Sequence, residues 1–276
     1  MQSRTRSSGL GDATRHFVLL VQSRIGNAKP VRASVCMQSQ AGKGLSDHLV
    51  KTSTAKFNRP KAAAISILIC AASAAFVFFL AGTFELPFFW AVFIIQAIVS
   101  VISIYTLEPN LLKERLKPEG VDQDKYGRLI VTVLYLFSII IPALDIGRFH
   151  FSDNIPLSGQ IIGIVLNILG WAGIVWAMRI NMYFSSAIRL QPDRNQQVIT
   201  TGPYRIIRHP GYSFAALGFV GQTLMMGSWL GFLPIVLMIV DFIYRSLLEE
   251  KILVDGLPGY KAYMARVKSR WVPGLF

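Results

Sequence analysis

Three observations predict an all-α fold that crosses a membrane about five to six times. The chain of 276 residues is 53% hydrophobic and only 16% charged, too apolar for a water-soluble protein of this length. It contains several uncharged runs of the length that spans a bilayer as a helix. Its basic residues gather in alternate loops, the pattern of a polytopic integral membrane protein.

Residues 1–60 differ in kind from 61–276, which we take as the membrane domain. Up to Lys61 there are eleven Lys and Arg against Asp12 and Asp47 alone. Basic, serine-bearing and acid-poor, with a weakly amphipathic run from Arg15 to Arg24 and a conceivable processing site at Val31-Arg-Ala-Ser, this extension reads as an organelle transit peptide. A disordered tail, or a start codon assigned ahead of Met37, is the alternative.

The spans follow in order. Ala62 to Ala81 and Leu86 to Tyr105 carry no charge at all, Leu129 to Leu144 is shorter, and Leu157 to Met178 is long and uncharged. Tyr212 to Met226 and Trp229 to Tyr244 are short runs parted by Gly227-Ser228, which predicts a tight helical hairpin. The segment with Tyr260, Tyr263, Arg266 and Arg270 is too polar to cross and is expected to cap the membrane surface. Five basic residues between Leu107 and Arg128, four between Ser186 and Pro210 and six from Arg245 onward all fall on one side if there are six spans.

The polar stretch that interrupts this apolar chain is Thr200-Thr-Gly-Pro-Tyr-Arg-Ile-Ile-Arg-His-Pro-Gly-Tyr212. Gly202-Pro203 is a turn pair, and Pro210 suits the first turn of a helix running through Tyr212. With Arg205 and Arg208 beside it, that helix start is suited to receive a carboxylate or phosphate. The plainer reading is a basic loop that only sets topology. On the last helix Asp241, Arg245 and Glu249 recur every four residues and so share a face. Ionisable groups at membrane depth usually line a cavity or pair with one another, so the stack is either the second half of a site or a structural ladder. Cys36 and Cys70 lie in different regions and His16, His48, His150 and His209 are scattered, so neither a disulfide framework nor a metal site is expected. The basic extension does not read as a nucleic-acid domain.

The motif around His209, then the apolar hairpin, then Arg245, Glu249-Glu250, Leu257-Pro-Gly-Tyr260, Tyr263, Val267 and Pro273 resembles the isoprenylcysteine carboxyl methyltransferase and phospholipid methyltransferase superfamily over roughly residues 190–276. The resemblance implies an S-adenosyl-L-methionine-dependent methyltransferase with its cofactor-binding core in that region. It places the cofactor against Gln196, Gln197, Val198, Ile199, Tyr204, His209, Pro210, Gly211, Tyr212 and Glu249, and assigns Arg245 to the substrate. The chain departs from the prenylcysteine enzymes at Gln196-Gln197, where those carry a His-Thr pair.

Methyl transfer is an in-line displacement that needs orientation and shelter from water rather than a covalent nucleophile. The catalytic candidates are therefore Arg245, His209 and Glu249, with Asp241 expected to orient Arg245 and His209 or Glu250 available as a base for an amine acceptor. The acceptor is expected to be a lipophilic small molecule or lipid entering from the bilayer. An NADPH-dependent membrane reductase of the sterol reductase type, which shares the Arg-His-Pro pattern, is the competing function.

Overall fold

The computed structural model describes residues 57–274, and within them every regular element is helical. The basic extension up to residue 56, with its proposed processing site and Cys36, lies outside the described residues, and its last residues, from Asn58, cap and begin the first helix. The helices are α1 (Arg59–Ala81), α2 (Pro87–Thr106), α3 (Pro109–Leu116), α4 (Gly127–Leu144), α5 (Leu157–Ile180), α6 (Pro210–Met226), α7 (Phe232–Gly256) and α8 (Tyr260–Arg266). Proline opens α1, α2, α3 and α6 at their first or second position, where its missing N–H has no helical partner to lose. Asn58 caps α1 through its side chain, and Gly82 and Gly227 end α1 and α6 in the left-handed conformation that glycine adopts without strain.

Among the described residues four helices are long and apolar enough to cross a membrane: α1, α2, α4 with the π-helical turn that extends it to Phe149, and α5. The hairpin expected around Gly227 is formed by α6 and α7. α6 has 17 residues, short of a full crossing, and α7 carries Asp241, Arg245, Glu249 and Glu250 along its length. The expected charge stack thus lies on one continuous helix of 25 residues.

α5 packs most extensively against α6, and the reason is legible in their small residues. A Cβ on Gly170 would lie 2.3 Å from the backbone nitrogen of Gly218, one on Gly163 2.4 Å from that of Met225, and one on Gly221 2.4 Å from that of Asn167. The two backbones are in direct contact. Lipid offers apolar side chains no less than a neighbouring helix does, so close packing of small residues is what holds membrane helices together. Asn167 adds an interhelical hydrogen bond from its amide to the Gly218 carbonyl at 2.9 Å.

Elsewhere α1 and α2 pack against each other around Phe78, Phe89 and Phe93, and α4 packs along α7. At one end of the bundle the π-helical turn closes on itself. The buried Asp145 carboxylate accepts from the amides of Phe151 and Ser152 and from the hydroxyls of Ser152 and Ser228. Arg148 donates to the Phe79 and Leu80 carbonyls left unpaired at the end of α1.

At the other end the short helix α3, which the apolar pattern alone does not reveal, lies across the bundle. Glu114 on α3 is almost fully buried and accepts from Ser185 at 2.8 Å and from Arg189 at 3.1 Å, while Arg189 also holds Asp193 at 2.8 Å. This ion-pair cluster ties α3 to the 183–193 loop, and the loop in turn leads into the polar motif.

Candidate functional site

The motif of residues 200–212 folds as a turn followed by a helix start. Gly202 to Arg205 make one 3₁₀ turn, and α6 begins at Pro210. Its position is set by the C-terminal tail. The Arg208 and His209 amides donate to the carbonyls of Ser269 and Arg270 at 3.0 and 2.9 Å, and the Ser213 hydroxyl to that of Trp271 at 2.8 Å. Trp271 stacks on Tyr212 with ring centres 5.9 Å apart, and its indole N–H donates to Ser246 of α7. The tail is therefore a clamp that fastens the motif to α7, a role with no periodicity or spacing to announce it.

Between these elements lies a cavity of about 580 Å³. All ten residues that the resemblance groups around a cofactor, from Gln196 to Tyr212 and including Glu249, border it, as does Arg245. Tyr260 and Tyr263 of α8 close its polar end. Tyr263 is 2% exposed and donates to the Tyr204 carbonyl at 2.7 Å, so it belongs to the cavity wall rather than to a headgroup belt. Burial pushes its phenol up to about 12.

The wall changes character toward the membrane. There it is formed by Val131 of α4, Trp171 and Ile174 of α5, Phe219 of α6 and Phe242 of α7. Arg128 and Thr132, both exposed on α4, also border the cavity, which places an opening beside that helix.

The charged groups divide into those that hold the site together and those that face the space. Glu250 belongs to the first kind. It is 5% exposed and accepts from Arg208 Nε at 2.6 Å, Arg270 Nε at 2.9 Å and His209 Nε2 at 3.2 Å. Burial by itself would raise its pKa, but these donors overrule it and hold the carboxyl at about 2. Arg208 also donates through Nη1 to the carbonyls of Val267 and Lys268, and Arg205 is exposed on the surface. Of the two arginines that the sequence set beside the helix start, Arg208 borders the cavity while paired with Glu250, and Arg205 does not border it.

Glu249 is of the second kind. Its carboxylate is about one third exposed, accepts from the Tyr212 hydroxyl at 3.2 Å and lies 3.8 Å from His209 Nδ1. It retains acceptor capacity toward the cavity. A ligand carrying hydroxyl or ammonium donors fits that arrangement.

Arg245 is oriented differently from the expectation. Its Nη1 donates to Asp124 at 2.7 Å and its Nη2 to the Ser186 carbonyl at 3.0 Å. Asp124, 121 residues away, takes the place that the four-residue spacing gave to Asp241, and Asp241 keeps one buried carboxylate oxygen without a hydrogen-bond partner. The other oxygen of Asp124 accepts from the Gly127 amide at the start of α4. A Cβ on Gly127 would lie 1.8 Å from Asp124 Oδ2 and 1.9 Å from Arg245 Nη1, so this ion pair needs a glycine under it. No local pattern connects these residues.

Among the described residues no three His, Cys, Asp or Glu side chains gather as a metal site would require.

The sequence matches known proteins over the same region. Residues 159–256 match the model of the phospholipid methyltransferase family. Over this segment the chain is similar to the phospholipid methyltransferase family. Two rice relatives, from Oryza sativa subspecies indica and japonica, are each named "Probable protein-S-isoprenylcysteine O-methyltransferase" and are 29% identical over 127 residues. That alignment covers 45% of this chain and spans 63% of the relatives' length. The superfamily match begins in α5 and ends with α7, so it includes the glycine-packed helix pair, the polar motif and the helix bearing Arg245 and Glu249.

Proposed function

We propose that the protein is an integral membrane, S-adenosylmethionine-dependent methyltransferase acting on a lipophilic small molecule or lipid, most like protein-S-isoprenylcysteine carboxyl O-methyltransferase. The observation that carries this reading is one cavity with two chemically distinct walls. The polar wall, with Glu249, Tyr204 and the 196–199 loop, suits a nucleoside-bearing donor, and the apolar wall from Val131 to Phe242 suits an acyl or prenyl chain arriving beside α4. S-adenosylmethionine supplies an activated methyl group on a sulfonium.

In this reading Glu249 accepts from donor hydroxyl or ammonium groups while the Tyr212 hydroxyl fixes its rotamer. His209, held by Glu250 on one nitrogen and facing Glu249 on the other, sets the spacing of the two glutamates. Arg245, oriented by Asp124, faces the acceptor. Glu250 at about 2 is too weak a base to deprotonate an ammonium, which leaves His209 as the base that an amine acceptor would need. Residues 61–276 would form the methyltransferase domain, in an endomembrane or cell membrane, or in a plastid or mitochondrial membrane if residues 1–60 act as a transit peptide.

Calorimetry on detergent-purified protein tests the proposal. S-adenosylmethionine should bind saturably, and Glu249→Ala should weaken it by about 10- to 100-fold, the usual worth of a hydrogen bond to a charged group. Binding of NADPH in place of S-adenosylmethionine would overturn the reading in favour of a reductase.

A further inference from the structure

Five arginines border the cavity: Arg115, Arg128, Arg189, Arg208 and Arg245. Four of them have carboxylate partners. Arg128 pairs with Asp122 at 3.1 Å, Arg189 with Glu114 at 3.1 Å, Arg208 with Glu250 at 2.6 Å and Arg245 with Asp124 at 2.7 Å. Arg115 makes none of these contacts. Its guanidinium lies over the Phe184 ring, 5.0 Å from the centroid, and among the described residues no Asp or Glu is within ion-pair distance of it.

The position of Arg115 is built rather than incidental. It is carried by α3, and its neighbour Glu114 anchors that helix to the 183–193 loop through Ser185 and Arg189. The Ser186 hydroxyl donates to the Arg115 carbonyl at 3.0 Å, so backbone and loop are fixed together. Phe184, under the guanidinium, itself packs onto Gly211 at the start of α6, where a Cβ would approach its ring to 2.5 Å. Arg115 lines the same cavity as Tyr204 and Tyr212.

A guanidinium stays charged in any protein setting, and one without a counter-ion in a partly dry cavity is costly to maintain. We infer that Arg115 is the anion-docking residue of the cavity, and that it receives a carboxylate of a bound ligand while the other four arginines remain engaged with the protein's own carboxylates. The carboxylate belongs either to the methyl donor or to the acceptor; only the first assignment rests on the methyltransferase reading.

Two ligand pairs, each differing by one negative charge, test this on the full-length protein in lipid nanodiscs. The donor pair is S-adenosylhomocysteine and its decarboxylated analogue; the acceptor pair is N-acetyl-S-farnesylcysteine and its methyl ester. In Arg115→Ala the carboxylate-bearing member of one pair should bind about 10- to 100-fold more weakly while its counterpart without the carboxylate binds as in the wild type. The pair that responds identifies the source of the anion. Arg115→Lys should recover part of the loss, because charge is retained and the planar fork is not. Wild-type protein that binds neither donor ligand would sink the donor reading alone, and the acceptor pair then decides the role of Arg115. Unchanged affinities in both pairs, or equal losses for members with and without the carboxylate, overturn the inference. Thermal melting of both variants at the wild-type temperature shows that the fold is intact.

Discussion

Glu250→Ala is expected to lower the melting temperature in detergent by about 10 °C, whereas Glu249→Ala melts as the wild type does. The two side chains are adjacent, but Glu250 is the shared partner of Arg208, Arg270 and His209 in a site 5% exposed. Removing one partner of a buried ion pair leaves the others uncompensated and costs about 3–5 kcal/mol. At roughly 2–4 °C per kcal/mol for a chain of this size, the shift should be plain in a thermal scan. Glu249 is partly exposed and accepts one hydrogen bond, from the Tyr212 hydroxyl, so its loss should appear mainly in ligand binding.

The same carboxylate predicts an acid limb. Its folded pKa of about 2 lies below the ordinary value of 4.5, so its contribution is fully present above about 4.5 and is lost as pH falls from there toward 2. Wild-type stability should fall through that window. Glu250→Gln should start lower at neutral pH and show a flatter profile between the two values. An identical acid limb in the variant would show that other carboxylates govern it.

Asp124→Ala is the second large effect. It removes the partner of Arg245 and the acceptor for the Gly127 amide in one step. Turnover with any acceptor the protein accepts should drop on the order of 100-fold, because a misplaced orienting group of about 1 Å has that consequence, and the melting temperature should fall as well. Asp241→Ala should stay within about twofold of wild-type turnover, since Arg245 is not oriented by it. Gly127→Ala, which drives a methyl group into the Asp124–Arg245 pair, should resemble Asp124→Ala. Equal effects of Asp124→Ala and Asp241→Ala on turnover would return the orienting role to the helix-local pair.

Much of the architecture was legible in the chain because membrane insertion is a local property. A run such as Ala62 to Ala81 must satisfy its backbone hydrogen bonds within itself, so composition over about twenty residues determines a spanning helix. The helix start at Pro210, the break at Gly227 and the face shared by Arg245 and Glu249 follow from residues within a turn or two of one another. The residues bordering the polar side of the cavity were named by the resemblance to a known superfamily, and most of them fall in one stretch from Gln196 to Tyr212.

Pairing between distant charges is not local. Which carboxylate holds Arg245, which cations hold Glu250 and which arginine is left facing the cavity depend on where α3, the 122–128 segment and the C-terminal tail come to rest. Sequence spacing favoured Asp241 for Arg245 and Arg208 for an incoming anion; the folded chain gives Arg245 to Asp124, buries Arg208 against Glu250 and leaves Arg115 over Phe184. The sequence by itself determined a bundle of membrane helices with a polar motif at one end. Only the tertiary structure decided the charge pairing, because in a low-dielectric site the energy of each ion pair depends on the distance and burial of partners up to 121 residues apart.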